Sequence, residues 1–356
     1  MDLSEFPVEV LVNIALQMTI SQVLFFCGLS KRINRKVCRR KYFWKLLLKK
    51  ENLDIPPEII YKGEKFNWLL YFLIKYPEKD WNWHRLSKNP NITWEIVQAY
   101  PDKPWIWSYL SLNPNITWEI ICNNLNKKWD WDGLSENSNI TWEIVQKNPD
   151  KPWNWSGLSQ NPNITLEIIQ LNPNKPWNWH YLSMHPNITW KLVQANSDKD
   201  WYWHALSINP NITWEIVLNN SDKPWYWDAL SANPNITWEI IQKYPRKDWS
   251  WYFLSMNPNI TWEIIYNNPD KDWDWDDLSK NPNITWEIIK QNPDKEWSWF
   301  GISANPNITW DIVRTNPDKP WSLSGLSQNP NITWETVYNN FDKNWDWDWN
   351  ELSSKE

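Results

Sequence analysis

The chain has 356 residues, with 36 Trp, 26 Pro and only 6 Gly, a usage far from that of an ordinary globular enzyme and one that points to a repeat. At 42% hydrophobic and 16% aromatic it holds ample apolar material for a core, which excludes a disordered chain. Residues 1–50 contain 10 Lys/Arg against 3 Asp/Glu while the remainder carries a net −13, so a basic module precedes an acidic body.

Residues 1–52 read as a compact set of helices. One starts at Phe6-Pro7-Val8-Glu9, a second opens at Ser21-Gln22, and a third, Ser30 to Glu51, spaces Val37, Phe43, Trp44 and Leu47 for a buried stripe. About 45 residues bury little alone, so dependence on a partner is expected. Cys27, Cys38 and Cys122 match neither a metal pair nor a disulfide framework, and a reducing compartment is the default. Asp2, Glu5 and Glu9 stand where a secretory signal is basic, and no apolar stretch reaches membrane-spanning length, so a cytoplasmic protein is expected.

The order F-P-V-E-V-L-x-x-I, V-L-F-F-C-G-L-S-K-R-I-N and F-W-K-L-L resembles an F-box, with Phe6 in place of the usual leading Leu and Ile33 where an aromatic is common. The resemblance implies that Phe6, Pro7, Val10, Leu11, Ile14, Val23 and Leu24 include the surface that docks on a Skp1-like adaptor. It further implies that the rest of the chain recruits a protein target for ubiquitination. The whole layout resembles, more loosely, the F-box and tandem-repeat proteins of large DNA viruses of protists, which would put it in host cytoplasm.

Residues 53–80 read as a linker and a degenerate capping helix, since Tyr76-Pro77-Glu78-Lys79-Asp80 parallels Tyr244-Pro245-Arg246-Lys247-Asp248. Residues 81–344 then divide into eleven units of 24 residues, W-x-W-x-x-L-S-x-N-P-N-I-T-W-E-I-V-x-x-N-P-D-K-P, with Leu166 in a Trp register. Thr93 and its equivalents are N-caps for a helix B beginning at Trp94, with Glu95 in its first turn and Ile92 placed to staple onto Val97. Asn148-Pro149 and similar pairs suit a left-handed C-cap and a stop. Asp102 and its equivalents are expected to cap a helix A running through Trp105, Trp107 and Leu110 to Asn113-Pro114. The Leu after W-x-W breaks a strand alternation, and polar residues such as Asp132 and Ser156 spoil a leucine-rich repeat. The fold expected is all-α, an F-box-like module followed by an αα solenoid with degenerate caps, the last of them residues 345–356.

In a stack the repeated Trp belong to the core, and recognition falls where the copies differ. Those positions are Ile106, Tyr202 and Tyr226 in one column, Tyr109, Tyr181 and Phe253 in a second, and Leu112, Met184 and Met256 in a third. The eleven N-I-T triplets are formal glycosylation sequons, though Thr is better explained as a cap. The basic run from Lys31 to Lys41 reads as a solvated or partner-facing surface before a nucleic-acid one. No catalytic constellation, metal cluster or phosphate loop is found, and no cofactor or membrane is implied. The reading is a substrate-recognition adaptor of a ubiquitin ligase. Its rivals are a protein-binding or sequestering scaffold without ligase recruitment and a glycan-binding Trp-rich array.

Overall fold

The computed structural model describes residues 5–62, 65–185, 187–341 and 347–355. The chain forms two compact units, one of residues 1–105 with 333–356 and the other of residues 106–332. Apart from a short antiparallel pair, β1 (Tyr61–Lys62) and β2 (Lys65–Phe66), the described elements are helical. In the first unit α1 (Val8–Leu16), α2 (Ile20–Gly28), α3 (Lys31–Ile33) with its π-helical continuation Asn34–Cys38, and α4 (Lys41–Lys50) enclose Leu11, Ala15, Ile20, Val23, Phe26, Val37, Phe43, Trp44 and Leu47. Thr19 closes a capping box with Gln22, and the Trp44 Nε1 donates to the Cys38 carbonyl at 2.6 Å. Cys27 and Cys38, expected to be reduced, are joined in a disulfide with Cα atoms 6.0 Å apart; packing of α2 against the π-turn brings together what their spacing did not suggest. A short α5 (Pro57–Ile60) leads to α6 (Trp68–Lys75). The Lys75 Nζ meets Glu51 Oε2 at 2.6 Å, and the Tyr71 hydroxyl donates to the same carboxylate at 3.2 Å, tying α6 to the end of α4.

From α7 (Trp83–Lys88) and α8 (Trp94–Ala99) to α28 (Trp334–Asn339), A and B helices alternate, nearly all of six residues. Six residues are too few to be stable alone, so burial and the junctions between repeats sustain them. Helix B begins at the expected residue, and in most repeats with the expected cap: the Thr117, Thr141 and Thr213 hydroxyls accept from the backbone three residues on at 3.3 to 3.4 Å, whereas Thr93, Thr189 and Thr237 hold the cap position without a side-chain cap bond. Helix A begins later than expected. Its N-cap is the residue between the two Trp, as where Asp130 accepts from the Gly133 N–H at 3.1 Å, and Asp-Lys-Pro is a turn outside the helix. The start is the same whether the cap residue is Asp130 or Tyr202, because in both the N–H of that residue donates to the serine hydroxyl of the preceding repeat, at 2.9 Å; a capping Asn, Asp or Ser side chain adds to it by satisfying an orphan N–H. The first Trp therefore precedes helix A, and its Nε1 donates to the C-cap carbonyl of helix B, as from Trp153 to Asn148 at 2.8 Å. That Asn is not left-handed (φ −128°); its amide instead turns back to the Ile144 carbonyl at 2.8 Å.

The L-S-x-N-P-N stretch does more than stop a helix. In the second unit the Asn137 amide is buried and donates to the Ser111, Asn113 and Ile116 carbonyls of the preceding repeat at 2.8, 3.0 and 3.4 Å. Its Oδ1 accepts from the Asn139 N–H at 2.8 Å, and the Ser111 hydroxyl accepts from the Asp130 N–H at 2.9 Å. The same bonds recur at Asn161, Asn233, Asn257, Asn305 and Asn329. The sequon asparagines join in, the Asn139 amide donating to the Pro114 and Ile116 carbonyls at 2.7 and 3.1 Å. Around this spine the aromatic contacts repeat as well, Trp131 edge-on to Trp153 at 5.1 Å and Trp118 tilted against Trp153 at 5.8 Å.

The degenerate ends cover one another inside the first unit. The segment holding α29 (Trp349–Leu352) stands to the first repeat as any repeat stands to the next: Ser353 Oγ accepts from the Asn82 N–H at 3.0 Å, and the buried Asn89 amide donates to the Ser353 and Lys355 carbonyls at 3.0 and 3.1 Å. Trp81 is edge-on to Trp349 at 5.0 Å and tilted against Trp334 at 6.4 Å, matching the internal pairs. Trp347 and Trp349 thus fill the W-x-W positions, two residues later than the period of 24 from Trp321 would put them. Helix α6 lies against α28, where the B helix of that last unit belongs, with Phe72 5.2 Å from Trp334 and Trp68 4.8 Å from Tyr338. One repeat is therefore assembled from both ends of the chain, with Arg85 and Glu351 paired at 2.6 Å across it.

Replacing Asn137 with Ala removes three donated bonds and the acceptor of the Asn139 N–H, and is expected to cost about 2–4 kcal/mol in urea unfolding. Removing residues 347–356 uncovers Trp81, Asn89 and Trp334, and a clear drop in melting temperature is the expected calorimetric result.

Candidate recognition face and N-terminal docking module

The variable positions of helix A are its N-cap and the residues two, three and six further on, which share a face by helical spacing, the third of them turned toward the neighbouring helix and buried wherever it is glycine or alanine. Every variable residue singled out from the sequence falls on this face. The third of these columns controls how near neighbouring helices come. A Cβ built on Gly157 would lie 2.9 Å from the Ser135 Cβ, and one on Gly325 would lie 2.6 Å from the Phe300 carbonyl oxygen, so only glycine fits these junctions as they stand. Tyr181 and Phe253 occupy the same spot with a ring. At Tyr181 a groove of about 250 Å³ opens, lined also by Gln160, Pro162, Met184, His185 and Asn187.

Between repeats, the second column of one helix meets the N-cap column of the next. Where both are polar they bond, the Asn154 amide donating to Asp132 at 2.6 Å and the Asn178 amide to Ser156 at 2.9 Å. From His180 to Tyr226 rings replace these bonds. His180 stacks on Tyr202 at 4.1 Å with an interplanar angle of 18°, Tyr202 lies 5.7 Å from His204, and His204 lies 5.5 Å from Tyr226. Tyr202 and Tyr226, like Ile106, sit in the cap position yet make no side-chain cap bond. Three helix starts thus forgo a stabilising contact for an apolar side chain on the outer face.

Tyr181, Met184, Tyr202 and Tyr226 come together over three successive repeats, with Met184 and Tyr226 nearly half exposed. Phe253 and Met256 form a second patch, while Ile106, Tyr109 and Leu112 belong to a repeat further back. The sequence reading missed His180, His204, Ile208 and Tyr252; Tyr252 is 50% exposed and edge-on to Phe253 at 5.0 Å. The signal was the second column, where His and Tyr stand among Ser and Asp.

The repeated Trp offer no comparable platform. None of the described Trp is exposed, and lysines of the Asp-Lys turns lie over several of the half-buried rings, Lys247 over Trp227 at 4.9 Å and Lys271 over Trp251 at 5.7 Å. No group of three or more His, Cys, Asp or Glu suited to a metal occurs among the described residues. No described helix is long and apolar enough to cross a membrane.

In the N-terminal module the residues expected to dock a partner divide. Leu11 and Val23 are fully buried and hold the helices together, because their faces of α1 and α2 are turned inward. Phe6, Ile14 and Leu24 are half-buried; Pro7 and Val10 are exposed. Phe25 and Leu29, which the resemblance did not point to, are 73% and 51% exposed. Solvation of two such side chains is a feature of apolar contact surfaces.

His185 occupies an asparagine position in the spine. Its Nδ1 accepts from the Asn187 N–H at 3.3 Å, while its buried Nε2 has no partner. Burial, partly offset by the nearby Asn161 carbonyl, holds its pKa below the ordinary histidine value, so folding disfavours its protonation. Unfolded chains take up a proton below about pH 6.5, so stability is expected to fall as pH drops through that value. His185→Asn restores the missing bonds and should add about 1–2 kcal/mol while removing this pH dependence, as denaturant titrations at several pH values will show. Ile106→Asp should stabilise by about 0.5–1.5 kcal/mol through a new N-cap, read from the same titrations.

The chain matches no known family, no curated protein and no solved structure.

Proposed function

We propose that the protein is a non-catalytic adaptor in which the F-box-like module docks on a Skp1-like subunit while the outer face of the A helices holds a protein target for ubiquitin transfer by other subunits. The observation that carries the reading is the contrast within each repeat: an internal spine of Ser, Asn and Trp that changes at few positions, such as His185 and Leu166, against an outer face that changes from copy to copy. Binding there is by shape and apolar contact, centred on the ring run from His180 to Tyr226 and the groove beside Tyr181. Exposed Val10, Phe25 and Leu29 supply the apolar contacts that docking on a partner requires.

A second reading, a sequestering scaffold without ligase recruitment, draws on the Glu51–Lys75 pair and the Glu51–Tyr71 bond, which make the module a lid on α6. Skp1 retention separates the two. On the adaptor reading the purified protein retains Skp1, and Val10→Asp with Phe25→Asp abolishes retention while leaving the melting temperature within about 2 °C, since both side chains are solvated. Tyr202→Ala with Tyr226→Ala should leave Skp1 bound and lose the target recovered from the native cell. Failure of the unaltered protein to retain Skp1 removes the adaptor reading and leaves the scaffold.

A further inference from the structure

The N-terminal module carries a feature that docking does not use. Between the end of α2 and the π-turn Asn34–Cys38 lies a pocket of about 350 Å³ lined by Gly28, Ser30, Lys31, Asn34, Arg35 and Arg39, with Cys27 at its back. No carboxylate is among its described lining residues. The side chains of Lys31 and Arg35 make no ion pair or hydrogen bond with a described residue, so two full positive charges one helical turn apart face a concavity without compensation. A nearby groove differs on this point: the lysines along α4, Lys41, Lys45 and Lys49, share theirs with Asp54 and Glu58, and Lys41 lies 3.9 Å from Glu58.

The pocket is also held in shape. The π-turn widens the helix so that the Arg39 N–H reaches the Asn34 carbonyl five residues back at 2.9 Å, and such turns recur at functional sites. Cys27–Cys38 fastens this turn to α2, and the Trp44 Nε1 fastens it to α4. At Gly28 an added Cβ would meet nothing within 4 Å, so that wall of the pocket is open. A guanidinium and an ammonium beside the Ser30 hydroxyl match a compact tetrahedral oxyanion, Arg supplying paired N–H donors and Lys a point charge. Nucleic acid is ordinarily gripped along a track with aromatic platforms, and no aromatic residue lines this pocket.

We propose that this pocket binds a phosphoryl group, either free phosphate or a small phosphate monoester, through Lys31 and Arg35. The site stands apart from the adaptor reading and survives its failure.

Calorimetric titration of the full chain with inorganic phosphate and with glycerol 3-phosphate, at ionic strength held constant with sodium chloride, tests it. Saturable binding of either anion is expected, tighter binding of the ester identifying a monoester ligand and equal binding a free anion. Lys31→Ala with Arg35→Ala should weaken binding at least tenfold. Gly28→Met, which fills the pocket without changing charge, should weaken it to a similar degree. Lys45→Ala with Lys49→Ala, on the neighbouring groove, should leave it unchanged. Absence of saturable binding, unchanged affinity in the Gly28→Met protein, or binding of only a long single-stranded RNA that the Lys45/Lys49 variant loses would each overturn the assignment.

Discussion

A buried asparagine that bonds to the carbonyls of the repeat before it is the contact on which the rest of this array depends. Each short helix A ends with carbonyls that have no partner within the helix. The asparagine amide one repeat on, as from Asn161 to the Ser135 and Asn137 carbonyls, supplies their hydrogens, and the serine hydroxyl receives an N–H of the next helix start. Polar groups buried this deep are costly unless fully paired, so the spine stabilises one register and penalises others. The Trp then fill the space around it, edge to face from repeat to repeat.

Because the spine and the rings are fixed, variation is confined to the outer face of helix A. Glycine or alanine in the third column draws neighbouring helices together, whereas Tyr181 opens a groove. In the cap column Asp, Asn or Ser stabilises a helix start, whereas Tyr202 and Tyr226 give that up and join a run of rings with His180 and His204. The departure from the helix-start rule falls at the same positions that depart from the repeat, so on the proposed reading it is the cost of a recognition surface.

The first unit obeys the same rules with different material. A C-terminal A helix and the N-terminal helix α6 together fill the place of one repeat, through the hydrogen bonds used at internal junctions. The module ahead of α6 has its own core, and burial there assigns Leu11 and Val23 to folding while leaving Phe25 and Leu29 in water. Its basic residues are not one undifferentiated surface: those of α4 face carboxylates, and Lys31 with Arg35 do not.

The period of 24, the two helices per unit, the threonine caps, the burial of the Trp and the face on which copies differ were all legible in the sequence, because each follows from local spacing and cap chemistry. Helix A was placed too early because the capping preference of Asp and Pro holds wherever a helix starts, and the bond that these starts share with or without a side-chain cap, from the N–H of the residue between the two Trp to a serine of the preceding repeat, spans 19 residues of sequence. The spine itself was read as a mere stop signal, since an asparagine's partners 24 and 26 residues away leave no trace in local pattern. Pairing of Cys27 with Cys38, the gap at His185, the ring run and the meeting of the two chain ends were likewise decided only by tertiary structure. Each depends on which side chains a neighbouring repeat or helix brings within reach, and that is a property of packing, not of sequence spacing.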